Sequence, residues 1–221
     1  MLDLLMMELE GHRISARIVS RALCPLLLAL LPLLTGCGSK ERTPPPYELN
    51  PSPKEAVEVV VTTHDAPEDI YAAGAWVTYR IANDCLPPID NFEGVRYGTD
   101  KHTLDITLQR VGPTTFKGTF FRDGLAEKDY FGRGPCRWAV ALAGANLETK
   151  ATRSFTYFSI SATTEEASAI RYSSRTVRPQ SEDGEVYPAD GMPPSRFIKD
   201  VPMAERGNYF SYEITLTPRK E

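Results

Sequence analysis

Nucleophilic acyl transfer needs a serine or cysteine, a base and a group that orients the base. Beyond residue 37 the chain offers two histidines as a base, His64 and His102. His64-Asp65 closes a β-rich run and reads as a turn, and His102 follows Asp100-Lys101 ahead of another run. No Gly-x-Ser-x-Gly elbow occurs anywhere in the sequence. Paired carboxylates stand at Glu127/Asp129, Glu165/Glu166 and Glu182/Asp183/Glu185. They read as a hydrolase pair or, more simply, as the surface loops of an acidic chain. Asp183-Gly184-Glu185 lacks the fuller ligand loop of a strong calcium site. No phosphate-cradling glycine loop or dinucleotide fingerprint is present. The expectation is a protein without catalytic residues, metal or cofactor, acting by contact.

The cysteines say where it acts. Arg21–Gly38 reads RALCPLLLALLPLLTGCG, with Arg13, Arg17 and Arg21 on its N-terminal side. The apolar run Ala22–Leu34 is 13 residues long, short of the ~20 needed to cross a bilayer as a helix. A basic flank, a short apolar run and small residues at its end make a secretory signal. Leu34-Thr35-Gly36-Cys37 resembles the lipobox of bacterial lipoproteins. The resemblance implies cleavage before Cys37 and a diacylglycerol on its sulfur, so residues 1–36 would be the signal peptide. Gly38 rather than Asp after the lipidated cysteine implies, by resemblance to enterobacterial sorting, an outer-membrane destination with the domain facing the periplasm.

Cys24 falls in the discarded run, which leaves Cys85 and Cys136. An even pair in an exported chain reads as one disulfide; the alternative is two free buried thiols. A bond closing a loop of about 50 residues contributes ~4 kcal/mol in the chain-entropy account. Two cysteines with scattered histidines do not complete a four-ligand zinc site.

Of 221 residues, 25 are Lys or Arg and 29 Asp or Glu, a net charge of −4 with signs mixed along the chain. No basic tract suits nucleic acid. Residues 37–54 hold Pro44-Pro45-Pro46 and few apolar side chains, and read as an extended, lipidated tether. Residues 55–221 are then one domain.

That domain reads as β. Ala56–Thr63 is rich in β-branched residues, and Trp76–Ala82 alternates in part, with Val77, Tyr79 and Ile81 on one face. Thr103–Gln109 alternates with Leu104, Ile106 and Leu108 on one side, and looks like a hairpin with Thr114–Phe121, where Gly118 suggests a bulge. Arg137–Leu142 reads as a central strand with Trp138, Val140 and Leu142 on one face. Further strands are expected over Thr152–Ala162, Ile170–Val177 and Tyr209–Thr217. Thr164–Ala169 suggests one helical turn. Residues 178–208 read as a long connection anchored by Val186-Tyr187, Phe197-Ile198 and Val201. Seven or eight strands with almost no helix predict an all-β, two-sheet antiparallel sandwich, immunoglobulin-like or a related Greek key. Trp138 follows the second cysteine, whereas the immunoglobulin tryptophan lies between the two.

Glu127–Trp138 packs aromatics, two glycines, a proline and a cysteine into one stretch. It reads as a disulfide-pinned corner, with Gly132 and Gly134 free to take unusual backbone angles. A second reading, compatible with the first, is a partner-binding face made of Tyr130, Phe131, Arg133, Arg137 and Trp138, residue types that dominate interface hot spots.

Asn83-Asp84-Cys85, Gly94-Val95 and Asp129–Trp138, following a lipobox, resemble immunity lipoproteins encoded beside type VI secretion effectors, often phospholipases. The likeness spans Val57–Leu142. It implies a stoichiometric complex with an effector lipase, which the protein inhibits in the periplasm, and no catalytic residue to carry over. Two other readings stay open: a structural or assembly lipoprotein of the envelope, and a hydrolase or carbohydrate-binding module on the same fold.

Overall fold

The computed structural model describes residues 45–67, 69–90, 92–96, 99–149, 156–176, 187–189 and 191–219. The expected signal peptide 1–36, Cys37, Val186 and the Glu182/Asp183/Glu185 group lie outside the described residues.

The run of β-branched residues Ala56–His64 forms strand β1, with alternate side chains Val57, Val59, Val61 and Thr63 buried. This period of two is what a strand with one face on a core imposes. β1 is central to its sheet. It pairs with β10 (Tyr209–Pro218), whose Phe210, Tyr212, Ile214 and Leu216 are buried, and with β5 (Thr115–Phe121). β4 (Gln109–Arg110) and β8 (Ser168–Ser174) complete the order β4-β5-β1-β10-β8.

The second sheet is built on β2 (Ile70–Ile81) and β6 (Trp138–Thr149). They are flanked by β3 (Lys101–Ile106), β7 (Thr156–Ala162) and β9 (Tyr187–Ala189), in the order β3-β2-β6-β7-β9. Pairing is antiparallel throughout except between β7 and β9. One apolar cluster takes Val59, Phe116, Phe210 and Ile214 from the first sheet and Val77, Leu147, Phe158 and Ile160 from the second. Phe158 and Phe210 meet edge-to-face across it, with ring centroids 5.0 Å apart. The sheets therefore pack face to face, the expected sandwich. Tyr79 of β2 is 1% exposed. Its hydroxyl crosses the sandwich to donate to the Phe121 carbonyl at 2.6 Å, and burial, then the charge of Asp123, pushes its pKa up to about 12.

Cys85 and Cys136 are bonded, with Cα atoms 5.2 Å apart. They lie just after β2 and just before β6, which are neighbours in one sheet. The bond fastens adjacent strand ends, whereas the immunoglobulin bond pins one sheet to the other.

Several local expectations are corrected. β6 continues to Thr149, and a register shift opposite Thr78/Tyr79 puts Val140 beside Tyr79 and Leu142 beside Thr78. The core-facing phase then passes to Ala143, Ala145 and Leu147, so Leu142 leaves the face it was expected to share with Trp138 and Val140. The Thr103–Gln109 run is split. Through Ile106 it pairs with β2, and only Gln109 and Arg110 pair with β5. The chain crosses from one sheet to the other in between, so the hairpin is reduced to two residue pairs. Gly118 is not a bulge, because the β1–β5 register runs unbroken through it. A Cβ there would lie 2.8 Å from Ile106, from Leu108 and from the Thr107 carbonyl, so the glycine makes room for the crossing chain.

The turn expected over Thr164–Ala169 starts one residue earlier, at Thr163, whose hydroxyl accepts from the Glu166 amide at 3.1 Å, and is shorter, because Ser168 and Ala169 already pair in β8. Residues 191–208 hold a helix, α1 (Pro194–Asp200), that the composition did not suggest. Pro193 and Pro194 sit at its N-cap and first position, where a missing N–H costs nothing. Phe197 stacks on Tyr172 at 4.0 Å and Val201 is buried, as anchors should be, but Ile198 is exposed.

Replacing Gly118 with alanine should destabilise the domain by ~1–3 kcal/mol through overpacking. Urea unfolding would show a lower midpoint at unchanged slope. An unchanged midpoint would mean that residues 106–108 do not rest on this strand.

Candidate functional site

The segment expected as the distal tether is part of the domain from Tyr47 onward. It runs beside residues 123–128, with Ala126 N donating to Glu48 O, Asn50 N to Gly124 O and the Asn50 side-chain amide to Asp123 O. Leu49 and Leu125 form a bridge, and Lys128 pairs with Glu48 at 2.5 Å. At the far end the Asp123 carboxylate receives the amides of Lys54 and Glu55. Burial raises the Asp123 pKa, but the amides of Lys54, Glu55 and Asp123 itself outweigh it and hold the carboxyl below its usual range.

Tyr47 closes the strap. Its ring stands edge-on to Trp138, Tyr130 and His102, with centroids at 4.7, 5.0 and 5.4 Å, and its hydroxyl donates to the Thr99 carbonyl. Burial, then the charges of Asp100 and Tyr130, pushes its pKa up to about 12. The sequence signal for this is an aromatic immediately after a proline run, Pro44-Pro45-Pro46-Tyr47, which composition alone does not separate from tether.

The strap leads to the corner. Lys128 and Cys136 bridge, closing the loop between them, and Gly132 and Gly134 take φ of +70° and +93°, the freedom expected of them. The amides of Phe131 and Arg133 converge on one oxygen of Asp129, at 3.2 and 3.0 Å. Desolvation works to raise the Asp129 pKa, but the amides of Gly134, Arg133, Phe131 and Gly132 prevail and lower it. Asn83, after β2, donates its side-chain amide to Pro135 O at 2.9 Å and accepts from Arg137 N at 2.8 Å. With the disulfide, these bonds fix both sides of the corner to the end of β2.

The five residues expected on a partner-binding face separate into two sets. Tyr130, Phe131 and Trp138 are half-buried against Ile81, Leu86 and the disulfide. Tyr130 donates to Ala126 O, and the Trp138 indole N–H is buried without an acceptor among the described residues. Arg133 and Arg137 are exposed and line a shallow, open groove of about 460 Å³ with Asn83, Glu127, Gly134 and Pro135. Among the described residues neither arginine has an ion-pair partner. The aromatics build the corner and the arginines face solvent from it.

The candidate bases are far apart in the architecture. His64, on β1, faces the Glu213 carboxylate at 3.4 Å, and His102 is on β3 in the other sheet, its pKa lowered by burial. Glu165 and Glu166 are exposed in the turn before β8, and Glu127 lines the groove. No three potential metal ligands gather among the described residues.

A carboxylate whose pKa is lower folded than unfolded stabilises in full above the unfolded value, and that share is lost as pH falls through the folded one. Asp129 and Asp123 have this sign, so acid should loosen the strap and corner below the ordinary carboxylate range. Asp129→Asn should flatten the acid limb of a stability profile taken from about pH 6 to about pH 2. Parallel profiles for the two proteins would mean that the corner does not depend on the charge at Asp129.

No family model matches this chain, and searches of curated proteins and of solved structures found no match to it either.

Proposed function

We propose that this chain is an immunity lipoprotein. On this reading Cys37 is lipidated, and the domain sits at the periplasmic face of the outer membrane. There it binds a type VI secretion effector, a phospholipase, in a stoichiometric complex that covers the active-site entrance. The observation that carries the proposal is the braced corner. Arg133 and Arg137 flank one groove with no ion-pair partner among the described residues, on backbone held by a disulfide, the Asp129 carboxylate and Asn83. A surface ordered before its partner arrives loses less conformational entropy on binding. Arginine is also the charged residue most at home at the centre of an interface. The complementary surface would carry carboxylates.

Two experiments test this. A strain lacking the gene should die under contact attack by sister cells that deliver their full set of effectors, and its survival would contradict the immunity role. In vitro, the mature protein should abolish the activity of its cognate phospholipase at one-to-one stoichiometry. Arg133→Ala and Arg137→Ala should each weaken that complex by about tenfold or more while the domain stays folded. Unchanged affinity in both variants would place the interface elsewhere.

A further inference from the structure

Between the disulfide and β3 the chain makes a loop closed at its base, where Arg96 Nη1 donates to the Pro87 carbonyl at 2.6 Å. The loop carries Ile89, Phe92 and Val95 at 46, 104 and 48% exposure, so the Phe92 ring stands wholly in solvent. Single exposed apolar residues are ordinary: Leu49, Val111 and Ile170 are scattered along the chain, and Ile198 and Met203 stand exposed in and after α1. Ile89, Phe92 and Val95 place three exposed apolar side chains, one of them a fully exposed phenylalanine, within seven residues of one loop, the kind of feature that marks an interaction surface.

The strap identifies the occupant. Leu86, at the start of the loop, packs with Cys85, Cys136, Tyr130 and Trp138. Thr99, just past its end, accepts the Tyr47 hydroxyl, and Tyr47 rests on Tyr130 and Trp138. The polypeptide coming from the N-terminal side thus joins the domain between the two roots of this loop. Tyr47 is ten residues from Cys37, a span of about 36 Å at full extension and about 31 Å as polyproline. A domain of this size has a radius of gyration of about 16 Å, hence a diameter of about 40 Å, longer than that tether, so with Cys37 lipidated the end that bears Tyr47 is not the one farthest from the anchor.

We infer that the Pro87–Arg96 loop touches the bilayer, with Phe92 in the interfacial region and Ile89 and Val95 beside it; this rests on the lipidation of Cys37 proposed above. An aromatic side chain at the headgroup level is a common interfacial anchor. Asp90 and Glu93 share the loop with a single cation, Arg96, whose guanidinium is bonded to Pro87. A zwitterionic surface is therefore favoured over an anionic one.

The test is the mature, acylated protein carrying Phe92→Trp, reconstituted in phosphatidylcholine vesicles with and without brominated acyl chains. The signal of the native Trp76 and Trp138 is subtracted using the unsubstituted protein. The expected result is blue-shifted emission from the new tryptophan and its loss on bromination. Emission at the wavelength of free indole, with the protein still floating on vesicles, overturns the inference and leaves the anchor standing. A blue shift insensitive to bromine overturns it in favour of contact between copies. Failure to float removes the anchor and the inference together.

Discussion

The bond between Cys85 and Cys136 is the constraint from which the rest of this end of the molecule follows. It joins the ends of β2 and β6, strands already paired along most of their length. What it fixes is irregular chain on both sides: the loop leading to β3 and the corner leading into β6. Asn83 adds two hydrogen bonds on one side of the bond, and the Lys128–Cys136 bridge adds one on the other. The irregular segments therefore inherit the order of the sheet.

Polar and apolar groups divide the work at this end. Tyr130, Phe131 and Trp138 spend their surface on packing, and Tyr47 lays the incoming strap over two of them. Asp129 and Asp123 act on backbone amides, each gathering several donors that the loop geometry would otherwise leave without partners. Only after those demands are met do Arg133 and Arg137 remain turned outward. In the proposed role their freedom is the functional quantity, and everything beneath them is its support.

The two-sheet architecture was legible because β1 and β10 each alternate between the same two environments over their first eight residues. The disulfide was legible from cysteine number and export. Where local pattern failed, a tertiary effect had displaced it. A register shift moved the core phase of β6 past Val140, a sheet-to-sheet crossing consumed Thr107 and Leu108, and packing on Tyr172 and Tyr209 stabilised a helix in a Pro-rich connection. None of these leaves a periodic trace in sequence. The composition of the corner is unusual, but two of its aromatics, Tyr130 and Trp138, are covered by Tyr47, eighty-three residues before Tyr130 in the chain. No short-range pattern reports a contact of that span.

The central claim is that the corner is ordered before any partner is present. Native-state hydrogen exchange at the amides of Phe131, Arg133, Cys136 and Arg137 measures this directly, because each has a named acceptor. The account predicts slow exchange at all four in the isolated oxidised protein, and faster exchange at these sites before the β1–β10 ladder on reduction of the disulfide. Exchange at unstructured rates in the oxidised, unliganded protein would contradict it.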